Sequence, residues 1–132
     1  KFAQQILDTY EGDYNIESAE EITSYSVENR NGGGSTDVGD VSWKVPTAGM
    51  SAATWVPGTS AHTWQAVAAG GTSIGIKGML IAAKTIALTA KDIFSDSDII
   101  IRAKKELEER IGKNDTYKSL IGDRDPPFNY RN

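Results

Sequence analysis

Asp40-Val41-Ser42-Trp43-Lys44-Val45-Pro46 is the stretch whose reading decides the fold class. Val41, Trp43 and Val45 alternate with polar residues, the two-residue period of a half-buried strand, and Pro46 would end it. Ser51 to Val56 reads as a second short strand, stopped by Pro57-Gly58. Two such strands, separated by Thr47-Ala48-Gly49, suggest neighbours in a sheet, and the expectation is an α/β fold. Upstream, Asn31-Gly32-Gly33-Gly34-Ser35 must be irregular, because three successive glycines cost a helix or strand too much backbone entropy. Glu17 to Asn31 is polar and acidic and fits a short helix or a strand equally.

Helices flank this region. Phe2, Ile6, Leu7 and Tyr10 share one face of a helix over Lys1–Tyr10, with Gly12 as its stop. Gly70-Gly71 opens the clearest helix in the chain. There Ile76, Met79, Leu80, Ala83, Ala87, Ala90 and Phe94 follow i, i+3, i+4 steps, with Lys77, Lys84 and Lys91 elsewhere on the circumference. The many alanines predict close packing on a sheet or another helix. Ser95 and Asp98 have capping-box spacing, which starts a further helix running to Ile111. Ile100, Ala103, Leu107 and Ile111 would face inward, its charged residues would form a solvated face, and Gly112 would end it. The polar tail from Asn114, with Pro126-Pro127, is expected to lie on the surface as an extended strap.

Composition narrows the function classes. The 132 residues fit one domain, long enough to bury roughly two-thirds of the unfolded surface. Hydrophobic and charged fractions of 39% and 24% are globular rather than disordered values. A net charge of -4 supplies no basic face for nucleic acid. The absence of cysteine excludes disulfides, cysteine-ligated zinc, iron–sulfur clusters and thiol catalysis. Three lysines interrupt the apolar stretch from Ile74 to Phe94, so no membrane span is expected. With no apolar signal core after Lys1, cytoplasm is the default compartment. The missing initiator Met suggests a piece of something longer.

His62 is the sole histidine, in the loop-like Pro57-Gly58-Thr59-Ser60-Ala61-His62-Thr63-Trp64-Gln65. Loops after strand ends are where sheet enzymes place catalytic and ligand-binding groups. A lone histidine is, on chemistry alone, more often a surface or hydrogen-bonded structural residue, and zinc needs three or four ligands. Gly32-Gly33-Gly34-Ser35-Thr36-Asp37 offers backbone N–H groups, hydroxyls and a carboxylate, which suit either an anion cradle or a turn. It matches neither the P-loop nor the calcium-loop pattern. Trp43, Trp55 and Trp64 fit a substrate wall, though tryptophans are more often core.

Taken together, Gly34-Ser35-Thr36-Asp37-Val38-Gly39-Asp40-Val41-Ser42-Trp43, Pro46-Thr47, Ala61-His62-Thr63-Trp64-Gln65 and Gly75-Ile76-Lys77-Gly78-Met79-Leu80-Ile81-Ala82-Ala83-Lys84 resemble a known family. The chain is similar to the C-terminal part of p-aminobenzoyl-glutamate hydrolase-like amidohydrolases, subfamily D of metallopeptidase family 20. The resemblance implies residues 1–132 as the C-terminal portion of a zinc-exopeptidase-like catalytic domain, short strands packed against about three helices, without the N-terminal portion or lid. It implies hydrolysis of the amide bond of N-acyl or N-aroyl amino acids, such as p-aminobenzoyl-glutamate, by an enzyme holding divalent zinc or manganese. His62 takes the place of the family's last metal ligand, and Ser35, Thr36 and Asp37 that of a substrate-binding motif. Asp37 could equally cap local backbone N–H groups.

The family's other metal ligands and its catalytic glutamate have no counterpart here, so no catalytic residue is assigned. The isolated chain is expected to be inactive and to hold no dinuclear metal centre tightly. Its expected partners are a small N-acyl amino acid, and a second copy or the rest of the enzyme. The rival reading is a non-catalytic module that binds a ligand or a partner subunit.

Overall fold

The computed structural model describes residues 1–26, 36–112 and 116–129. Its helices are α1 (Phe2–Leu7), α2 (Val38–Ser42), α3 (Trp64–Gly70), α4 (Ser73–Ser95) and α5 (Ser97–Ile111), with a 3₁₀ turn over Ile16–Glu20. Among the described residues there is no strand, which overturns the α/β expectation and the short strands of the zinc-exopeptidase-like reading.

The physical reason lies in the deciding stretch itself. Val38, Val41 and Val45 also sit at i, i+3 and i+7, so the same residues satisfy a helical period. Three alternating positions are too few to separate the two patterns. The backbone then takes the local option: Val41 N–H donates to Asp37 O at 3.3 Å, and Lys44 and Val45 N–H donate to Val41 O at 2.9 and 3.0 Å. A strand would need a neighbour to bond the same groups, and the described residues provide none. Ser51–Val56 is not a strand either: its backbone is irregular, with a bend at Trp55.

The chain divides into two compact units. The first comprises residues 1–30 and 49–95. Its core is small: Ile6, Val56, Ala66 and Ala69 are buried, Ala69 completely. Thr72 turns the chain between α3 and α4, its hydroxyl donating to Ala69 O at 2.6 Å and accepting from Ile74 N–H at 3.3 Å. The α4 helix then crosses the irregular segment 51–56 through a residue without a side chain. A Cβ at Gly78 would lie 2.0 Å from the Ala53 carbonyl oxygen.

That crossing corrects the predicted inward face of α4. The buried residues are Gly75 and Gly78, whereas Ile76, Met79 and Leu80 are about half exposed and Phe94 is 91% exposed. The helix is also long and apolar enough to cross a membrane, with a mean hydropathy of 1.3 over its best window.

The second unit comprises residues 31–48 and 96–132. Asp96, rather than Ser95, caps α5: its Oδ1 accepts from Asp98 N–H at 2.9 Å. Gly112 ends the helix as predicted, at φ +82°, where its N–H reaches Glu108 O at 3.0 Å. Ala103, Leu107 and Ile111 are half-buried as expected, while Ile100 is exposed and Ile99 is the half-buried residue one step earlier. Exposed i, i+4 pairs, Lys105–Glu109 and Glu106–Arg110, line the charged face. The described part of the tail is non-helical, with a turn over residues 120–123.

Candidate functional site

In the first unit, the loop carrying His62 is fixed from both ends. Thr59 N–H closes a turn onto Val56 O at 3.1 Å, and the Tyr10 and Thr59 hydroxyls share a hydrogen bond of 2.8 Å. Tyr14 packs edge-on to Tyr10, with ring centroids 5.9 Å apart, and covers Gly58. Gly58 lies at φ +84°, and a Cβ there would come within 2.9 Å of the Tyr14 ring. On the other side Thr63 caps α3: its hydroxyl donates to Ser60 O at 2.8 Å and accepts from Ala66 N–H at 3.3 Å.

Between these anchors His62 is exposed and adopts φ +61°, the only described non-glycine residue in the left-handed region. Such a conformation is uncommon, and histidine is among the residues that tolerate it best. The adjoining groove, about 350 Å³, is lined by Ser18, Ala19 and residues 52–59, and His62 is not part of its wall. Its lining carries hydroxyls and backbone groups but no ionisable side chain.

Thr36 and Asp37 belong to the second unit, while Ser35 and the glycines before it lie outside the described residues. Asp37 occupies the N-cap position of α2 without a side-chain capping bond. The Thr36 hydroxyl does that work, accepting from Val38 N–H at 3.3 Å.

The second unit also contains a cluster the sequence did not suggest. The Tyr117 hydroxyl donates to Asp40 Oδ1. Its ring stacks on Trp43, with centroids 6.3 Å apart, and lies 5.0 Å from the Lys44 ammonium. The hydrogen bond to the Asp40 carboxylate, first, and its negative charge raise the Tyr117 pKa above 10. No local signal could have joined residues 77 positions apart. Nearby, Trp43, Lys44, Val45, Lys104, Leu107 and Glu108 are among the walls of a groove of about 550 Å³. All three tryptophans are exposed rather than core.

Among the described residues, no three His, Cys, Asp or Glu side chains gather into a group able to hold a metal. A metal centre therefore does not fit these residues by themselves. His62 can offer one imidazole nitrogen, and a closed zinc shell needs three or four ligands.

The resemblance to p-aminobenzoyl-glutamate hydrolase-like amidohydrolases is borne out by comparison with known proteins as similarity to one relative. Over 91 residues, 69% of the chain, the sequence is 44% identical to one of the subunits of p-aminobenzoyl-glutamate hydrolase of Escherichia coli (strain K12). The match spans 19% of that relative's length. No family model matches the chain, and no solved structure matches it.

Proposed function

We propose that this chain serves a hydrolase that cleaves the amide bond of N-acyl or N-aroyl amino acids, with p-aminobenzoyl-glutamate as the model substrate. The observation that supports the reading is the 44% identity to a subunit of a hydrolase of that name. In such an enzyme the chain contributes positioning. The turn at Val56–Thr59, the Tyr10–Thr59 bond and the Thr63 cap hold the loop that carries the exposed His62 at the head of α3. Of the divalent metal's ligands, this chain supplies His62, and the others come from elsewhere in the enzyme. Thr36 and Asp37, with Ser35 before them, are the substrate-carboxylate side of the proposal. Association with the remainder of the enzyme, or with a second copy, is part of the same reading.

The test is a chimera in which the matching 91 residues of this chain replace their counterpart in the Escherichia coli relative. The unaltered relative is assayed beside it for release of p-aminobenzoate. The chimera is expected to turn over p-aminobenzoyl-glutamate, and His62→Asn is expected to abolish at least ~99% of that turnover and to lower zinc or manganese content. A folded chimera without turnover, or a His62→Asn variant with full turnover and metal, would overturn the proposal.

A further inference from the structure

Helix α2 is weak by its own sequence. It has five residues, far short of the ~12–15 that an isolated helix needs to be even marginal in water. Val38 and Val41 are β-branched, Gly39 is a poor helix former, and Asp37 at the N-cap makes no side-chain capping bond. Packing does not make up the deficit: no described residue of the second unit is buried, and Val41 and Val45 are about half exposed. Something other than propensity or a core selects the helix here.

The contacts of Tyr117 supply that selection. Its hydroxyl donates to the Asp40 carboxylate, its ring stacks on Trp43, and the Lys44 ammonium lies over the same ring. Asp40, Trp43 and Lys44 stand at i, i+3 and i+4, the spacing that brings three side chains to one face of a helix. In an extended chain they would not converge. Trp43 and Lys44 would project to opposite faces, with Asp40 roughly 10 Å from Trp43 at ~3.3 Å per residue. One tyrosine can therefore touch all three only when the segment is helical. A group that binds one of two conformations shifts the population toward it.

We propose that Tyr117 is a clasp that commits the segment 38–45, whose sequence suits a strand as well as a helix, to helix α2, so that α2 is folded only while the tail is docked. The alternation of Val41, Trp43 and Val45 is the strand option that the clasp overrides. Two arrangements depend on it. Thr36 and Asp37 stand at the head of α2, and Trp43, Lys44 and Val45 line the groove of about 550 Å³ together with Lys104, Leu107 and Glu108 of α5. Release of the tail dissolves both. The proposal does not depend on the hydrolase reading, so each can fail alone.

The test is nuclear magnetic resonance on the 132-residue chain, with Cα secondary chemical shifts reporting helix residue by residue. Tyr117→Ala is expected to lower the helix population of residues 38–42 at least ~threefold, toward that of an isolated short segment. Tyr117→Phe, which keeps the ring and loses the hydroxyl, should lower it by less. Helix α5 has its own cap at Asp96 and its own ion pairs, and should keep its shifts in both variants. Coupling between two segments is reciprocal, so Trp43→Ala should loosen the tail, read as lower backbone order parameters at Tyr117 and Lys118. Adding Gly39→Ala to Tyr117→Ala, where the new Cβ meets nothing within 4 Å, should restore part of the lost helix through propensity alone. Any of three results would overturn the proposal: an α2 equally helical in Tyr117→Ala, a tail unmoved by Trp43→Ala, or loss of α5 together with α2, which would mean general unfolding rather than an opened clasp.

Discussion

Replacing Gly78 by alanine tests how α4 is seated. The new Cβ would lie 2.0 Å from the Ala53 carbonyl oxygen, 2.7 Å from its carbon and 2.9 Å from Thr54 Cγ2. The two nearest atoms are backbone, so no side-chain rotation relieves the contact, and α4 or the segment 51–56 must move by about 1.4 Å to reach ordinary packing distance. Overpacking of this kind costs about 1–3 kcal/mol. Alanine returns about 1 kcal/mol through its better helix propensity. With rigid backbone on one side the cost belongs at the upper end, and a net loss of about 2 kcal/mol is expected. Thermal unfolding followed at 222 nm should show Tm lower by roughly 6–10 °C. Gly71→Ala is the control: a Cβ there meets nothing within 4 Å, and Tm should stay within ~3 °C. A Gly78→Ala protein as stable as the parent would refute the close crossing.

Two further outcomes follow from single contacts. Asp96→Ala removes the oxygen that accepts from Asp98 N–H and should destabilise α5 by about 1 kcal/mol, read as lower helicity and earlier urea unfolding. Tyr117 titrates above its ordinary 10 because its hydroxyl donates to the Asp40 carboxylate, so Asp40→Asn should bring its phenolate transition at 295 nm down. Since the folded-state pKa is the raised one, the stability this bond contributes is present below pH ~10 and lost as pH rises through the Tyr117 transition. An unshifted Tyr117 titration in Asp40→Asn would break the link.

Local signals were legible and paired ones were not. The helix over Ser73–Ser95 and the glycine stop at 112 could be read because each depends on residues within a turn or two. The capping cluster was visible as well, although Asp96 rather than Ser95 does the capping. Strands failed as an expectation because pairing is a property of two segments, while Val41, Trp43 and Val45 carry only half of that information. The inward face of α4 was misread for a related reason. Hydrophobic bulk marked Ile76 and Leu80, but Gly78 wins the contact because only a residue without a side chain lets the Ala53 carbonyl approach. At the site, the loop position of His62 before a helix was legible. The tyrosines that brace that loop and the Tyr117–Asp40 bond were not, since nothing near them in sequence announces a partner.

The backbone of His62 sets the substitutions that this position accepts. At φ +61°, alanine would lose the imidazole and also bear the cost of a conformation that suits it poorly, about 1–2 kcal/mol. Asparagine and glycine tolerate that conformation, so they erase the imidazole while sparing the turn. Among homologous chains, drift away from histidine should therefore run through Asn, Asp or Gly, and a β-branched residue here would signal that the loop itself had been rebuilt.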